Sequence, residues 1–257
     1  MEKGCSHLGL CLRLVLAYDG SRYLGWQKTS EGPSIQEEVE NALSQVLQQP
    51  VHVEATSRTD RGVHATGQVA RAVIPALCHI SIERLSCSLH ALLPKDIALV
   101  SLEQAPLSFH PTLDAKEKEY HYFLCTGRWQ FPHHRLYSWH VPKPLRIDLM
   151  REAAEACLGT RDFTSFTNQK KNEFYSSHEC TLSHFSVQEL PNHRLCLCVR
   201  GNRFLYKMVR NLVGAVVAVG KEEVPIVWIS ELFLLHDRKK AAVTAPSHGL
   251  FLQQVWF

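Results

Sequence analysis

None of the nine cysteines lies in a C-x-x-C pair, and none of the fifteen histidines repeats as H-x-x-x-H. The first absence argues against a cysteine zinc site or a redox dithiol, and the second against a zinc-binding helix. Scattered, odd in number and mostly within apolar patterns, the thiols fit a reducing compartment rather than a disulfide framework. No metal is therefore expected. Long hydrophobic runs are also missing: the longest, around Leu212 to Val219, is far too short to cross a bilayer. The N-terminal segment has no signal-peptide pattern, since Arg13 interrupts its apolar run, so a soluble, cytoplasmic protein without membrane attachment is expected. Charge of one sign is scarce too. A net +3 over 257 residues permits a nucleic-acid partner if the cations cluster, and does not require one.

What is present is the composition of a globular chain, 45% hydrophobic and 21% charged, long enough for one large domain or two halves sharing a core. Leu12, Leu14 and Leu16 alternate with their neighbours as on a strand, which enters the polar turn Tyr18-Asp19-Gly20-Ser21. Ser34 and Glu37 form a capping box. Ile35, Val39, Ala42, Leu43, Val46 and Leu47 follow at helical spacing until Pro50. Strands are expected at 51–57, 68–74 and 97–103, with a helix from Ser81 that lines up Ile82, Leu85, Leu89 and Leu92. The order β-α-β-β-α-β is that of the split ferredoxin-like unit.

The remainder reads the same way. Strands are expected at 119–125, 136–140, 182–187, 195–199 and 250–255. A helix capped by Asp148 runs through Leu158, a second spans 204–219, and Pro225 opens a third. No Gly-, Pro- or Ser-rich linker separates the halves. The expected class is α+β: two ferredoxin-like halves, 1–105 and 106–257, sharing a continuous, mostly antiparallel sheet with a central cleft.

Between two of the strands lies ATSRTDRGVHATGQV (55–69), which holds one acid, Asp60, between Arg58 and Arg61. A plain turn accounts for such a stretch, because Asp bonds its own backbone and Gly62 tolerates positive φ. In the helix 204–219, Arg210 sits at the edge of an apolar stripe and Gly214 leaves space one turn on. A solvated, snorkelling arginine is the ordinary explanation. A partly buried guanidinium paired with Asp60 would instead keep that acid ionised.

Several segments in order, YDGSRYLGWQ (18–27), SIQEEVENAL (34–43), SRTDRGVHATGQV (57–69), LPKDI (93–97), EYHYFL (119–124), DFTSF (162–166), FLYKMVRNLVGAVVAVG (204–220) and TAPSHGLFL (244–252), resemble the TruA family of tRNA pseudouridine synthases. The resemblance covers nearly the whole chain, and its R-T-D-x-G-V-H and M-V-R-N-x-V-G segments are specific. It implies an isomerase that converts uridine to pseudouridine at positions 38–40 in the anticodon stem-loop of tRNA. It implies no cofactor, tRNA as partner, and a homodimer.

By resemblance, Asp60 is the catalytic aspartate and Arg210 the arginine paired with it. Tyr120 packs against the target base, Leu250 lines the pocket, and Arg58 helps expel the base from the stack. The chemistry needs few groups. The bond from C1′ to N1 breaks, the uracil turns, and C5 joins the same carbon, with no net redox or hydrolysis. A carboxylate acts on the ribose, as nucleophile at C1′ or base at C2′. Flipping the base costs a few kcal/mol, which an aromatic face can partly offset by restoring stacking.

The chain also departs from the family pattern. Arg61 stands where alanine is usual and is assigned to RNA phosphate. Lys118, Glu119 and His121 surround Tyr120 where arginines are usual, and FHPT (109–112) replaces the usual FHAR. These changes keep two alternatives open: a non-catalytic RNA-binding protein of the same fold, and the same isomerase acting on another RNA.

Overall fold

The structure is a computed structural model in which residues 9–75, 80–169 and 175–257 are described. The chain divides into two compact units, Met1–Ala115 with Phe257, and Lys116–Trp256.

The first unit runs β1 (Leu10–Tyr18), α1 (Ile35–Leu47), β2 (Val53–Ala55), β3 (His64–Ile74), α2 (Ile82–Leu92), β4 (Ile97–Ala105). Its strands lie in the order β4-β1-β3 with β2 beside β3, and every pairing is antiparallel. That is the ferredoxin-like order expected from the element sequence. Leu12, Leu14 and Leu16 are fully buried, as the alternation requires. Ser34 caps α1 by accepting from the Glu37 N–H at 3.3 Å, and Ser81 does the same for α2 through Arg84.

Two expectations need correction here. The strand at 51–57 shortens to three residues. Gln36 and Glu40 of α1 hold its start: the Gln36 amide donates to Val53 O at 3.1 Å, and the Val53 N–H donates to Glu40 Oε1 at 3.1 Å. Beyond Ala55, Thr56 and Ser57 bond through β3 partners without extending the ladder. On α2, Leu92 is exposed; Leu85 and Leu89 alone are buried, so the apolar face ends a turn early.

The second unit runs β5 (Glu117–Cys125), β6 (Trp139–His140), α3 (Ile147–Glu155), β7 (Gly159–Asp162), β8 (Glu179–Leu190), β9 (Arg194–Gly201), α4 (Met208–Gly220), α5 (Val227–Leu235), β10 (Leu250–Trp256). Its order is β10-β5-β9-β8-β7, with short β6 parallel to β5 and the other pairs antiparallel. With β5, β8, β9 and β10 as its four main strands, it repeats the order of the first unit. The α+β class with a mostly antiparallel sheet holds in both.

Corrections fall at helix ends. Asp148 does not cap α3; it lies inside the first turn, where Arg146 grips both its oxygens at 3.1 and 2.6 Å. α4 starts at Met208, not 204, because Lys207 is left-handed (φ 61°) and breaks any helix through it. α4 is buried on every side except at Arg210, so it is a core helix rather than one with a single stripe. The strand expected at 136–140 keeps only its last two residues, and β7 was not foreseen.

Candidate active site

In the first unit, the stretch 55–69 runs from the end of β2 through the connection at 56–63 into β3, and its backbone is fixed at several points. The Trp26 N–H donates to Thr59 O at 3.0 Å, and Gly25 forms an isolated antiparallel bridge with Asp60. Gly25 is required there: its φ is 110°, and a Cβ would lie 2.6 Å from Thr59 O. Gly62, also at positive φ, lets the chain turn back so that the Val63 N–H reaches Asp60 O at 3.1 Å. Gly20 approaches closely from below the loop, with a virtual Cβ 2.1 Å from Val63 O.

Side chains complete the support. Tyr18 and Thr59 share a hydrogen bond of 2.8 Å between hydroxyls, and Gln68 donates to Ser57 O at 2.6 Å. Buried His64 accepts the Gly20 N–H at Nδ1, 3.1 Å away. The same nitrogen lies 3.2 Å from Asp19 Oδ1. On this scaffold Thr59 is buried, Asp60 half-buried, and Arg58 and Arg61 exposed. Of these supports, the spacing of Tyr18, Thr59 and Gln68 in the sequence gave no sign.

The second unit positions the other residues. Tyr120, on β5, is 6% exposed and meets the edge of Phe204 at 5.0 Å between ring centroids. Arg210 is held by a strap, 242–246, that runs beside α4. Its Nε donates to Ala245 O at 2.7 Å, while the Ala245 N–H donates to Arg210 O at 3.1 Å. The strap fits because Gly214 has no side chain: a Cβ there would sit 2.0 Å from Val243 O.

Arg238 fixes the strap from its other side. It donates to Ala242 O, the Thr244 hydroxyl, Asn211 Oδ1 and Asn168 Oδ1, at 3.0, 2.8, 2.8 and 3.1 Å. Asn211, fully buried next to Arg210 in sequence, donates in turn to Phe166 O at 2.7 Å. Nothing at the level of sequence joined Arg238 to Arg210.

Leu250, buried, opens β10 opposite Tyr122. The Tyr122 hydroxyl donates to Pro246 O at 2.8 Å, and burial pushes its pKa upward against the pull of the Arg210 charge. His248 is held below the usual histidine range, first by burial and also by the Arg210 charge. Arg210, Tyr122, His248 and Leu250 thus gather at the end of the strap. Lys118 lies two residues before Tyr120 on the same face of β5, and burial lowers its ammonium to about 8. Asp60, Arg58 and Arg61 belong to the first unit; Tyr120, Arg210 and Leu250 belong to the second.

The sequence profile of the tRNA pseudouridine synthases matches residues 14–114 and 153–257. The chain belongs to that family. It is 42% identical over 246 residues to tRNA pseudouridine synthase A 2 of Protochlamydia amoebophila, covering 96% of this chain and 94% of that one. It is 39% identical to tRNA pseudouridine synthase A of Chlamydia felis, covering 95% and 90%. The enzyme of that name from Thermodesulfovibrio yellowstonii is 37% identical, covering 95% and 98%. This family member is an RNA pseudouridine synthase, an isomerase of tRNA uridines. Among the described residues no helix is long and apolar enough to cross a membrane.

Proposed function

We propose that this synthase acts on uridines 38–40 of the tRNA anticodon stem-loop, as a cytoplasmic homodimer, with Asp60 as its catalytic carboxylate. The observation that carries this reading is the anchoring of the Asp60 loop. Its backbone is pinned at Thr59 by Trp26 and at Asp60 by Gly25, which suits a group that must meet a ribose carbon in one orientation. Arg210 is the arginine that the family resemblance gives as partner of the catalytic carboxylate. The strap supports this role, since Ala245 holds the guanidinium by Nε and so fixes its plane.

Tyr120 packs against the flipped uracil and restores part of the stacking lost from the stem. Leu250 provides an apolar wall, Arg58 assists expulsion of the base, and Arg61 contacts phosphate. Both arginines are exposed, as RNA contacts require. With the base out, the C1′–N1 bond breaks, the uracil rotates, and C5 bonds to C1′. The hydrogen on C5 then leaves to solvent and N1 gains a proton.

The test is release of tritium from tRNA labelled at uridine C5, combined with pseudouridine mapping of the product. Asp60→Asn keeps the side-chain shape and removes the charge. It should abolish release while tRNA affinity stays within a few-fold. Turnover above a few per cent of wild type would remove Asp60 from this role. Modification mapped elsewhere than 38–40 would refute the choice of target and leave the catalytic assignment standing.

A further inference from the structure

On β5 and β9, side chains alternate between the two sheet faces. Tyr120 and Tyr122 take one face, and Glu119, His121 and Phe123 the other. His121 stands directly opposite Cys198 in the β5–β9 ladder, and Cys196 lies two residues along on the same face. One ligand atom from each of these three residues falls within 4.8 Å of the others. The Cys196 and Cys198 sulfurs are 3.6 Å apart. We propose that His121, Cys196 and Cys198 form a zinc site on this face of the second unit.

The distances fit a tetrahedral ion. Zinc–sulfur bonds of about 2.3 Å at the tetrahedral angle place two thiolates about 3.8 Å apart, close to the spacing already present. A disulfide fits less well. Cysteines at i and i+2 on a strand have Cα atoms about 6.6 Å apart, at the outer end of the bridging range, with parallel Cβ directions. Two thiolates and an imidazole suit zinc rather than magnesium or calcium, which take oxygen ligands.

The surroundings complete the arrangement. Nε2 of His121 is bonded to Glu119 Oε1 at 3.0 Å, which leaves Nδ1 for the metal. Glu119 is itself gripped through Oε2 by Arg200, from Nε at 2.9 Å and Nη2 at 2.7 Å. Arg200 rests on the Trp256 ring at 4.3 Å. A carboxylate that holds the second nitrogen of a histidine orients the ring for a metal and raises its basicity. The two sulfurs are buried, while the His121 side chain is 22% exposed, so water can take the fourth position from the imidazole side. On binding, each thiol gives up its proton to solvent.

The sequence hid this site because its ligands follow neither usual spacing. Cys196-x-Cys198 places two thiols together only on an extended strand, and His121 joins them only through strand pairing.

The experiment uses the full chain, stripped with a chelator under reducing conditions and titrated with Co(II), then Zn(II). One cobalt per chain should bind with thiolate-to-cobalt charge-transfer absorption, and zinc should displace it. Cys198→Ser should weaken binding at least a hundredfold, while Cys157→Ser, a buried thiol elsewhere, should leave it unchanged. Glu119→Gln, which keeps all three ligands, should weaken binding about 10- to 100-fold. Zinc should also raise the thermal transition of wild type and of Glu119→Gln, but not that of Cys198→Ser. Absence of the charge-transfer band in wild type overturns the proposal, as does its persistence in folded Cys198→Ser. If Cys198→Ser fails to fold, unchanged affinity in Glu119→Gln overturns it instead.

Discussion

Replacing Gly214 with alanine tests how Arg210 is positioned. In an isolated helix the change would be favourable by about 1 kcal/mol, since glycine is a poor helix former. In this protein the new Cβ would lie 2.0 Å from Val243 O, well over an ångström inside van der Waals contact. Both partners are backbone or helix-borne, so neither can swing aside as a flexible side-chain tip would. Overpacking of this kind costs about 1–3 kcal/mol. Displacing the strap also strains the two bonds between Arg210 and Ala245, at about 1 kcal/mol or more each. The clash outweighs the helix gain, and a net loss of about 2–4 kcal/mol is expected. For a chain of this size that lowers the melting temperature by roughly 4–16 °C.

Because the strap orients the guanidinium, kcat for tritium release should fall by more than tenfold, with tRNA affinity changed little. Thermal melts and steady-state kinetics on the same preparation read both effects. A melting temperature equal to or above wild type, with activity intact, would refute the packing of the strap on Gly214 and with it the positioning argument.

Arg210→Lys loses the Nε donor to Ala245 and the planar fork, so a large loss of rate with normal folding is expected; a variant that melts early yet keeps its specific activity would make Arg210 structural. Arg61→Ala should weaken binding to all tRNAs alike and lower the salt slope by about one unit, with little change in single-turnover rate. An unchanged slope with a collapsed rate would place Arg61 in the chemistry. Lys118, held to about 8 by burial against 10.5 ordinarily, gives a pH signature. Between those values the unfolded chain binds more protons, so this residue's contribution to stability rises with pH. The stability advantage of Lys118→Met should therefore shrink by up to about 3 kcal/mol as pH goes from 7 to 10.5; a constant difference in denaturant melts would show that the ammonium is well solvated.

Local patterns were legible where one residue decides one feature. Alternation in 12–16 fixed the buried face of β1, and Ser34 and Ser81 marked helix starts because each hydroxyl answers an orphan N–H close in sequence. Patterns failed where competition was non-local or conformational. Asp148 reads as a cap until Arg146 engages it, and Phe204 reads as helical until Lys207 adopts positive φ. Arg210 reads as a stripe-edge cation, yet the rest of its helix is buried, with the strap against Gly214 and Met150 of α3 against Gly220.

By itself the sequence determined the α+β class, the element order of the first unit and membership among the tRNA pseudouridine synthases. Those follow from periodicity and from motif residues that are contiguous in the chain. Only the tertiary structure decided how the motif residues are held: Gly25 under Asp60, Ala245 on Arg210, and Arg238 gripping the strap from 27 residues beyond Asn211. It alone also brought His121 opposite Cys198. Strand pairing and backbone contact join residues distant in sequence, and no local spacing encodes them.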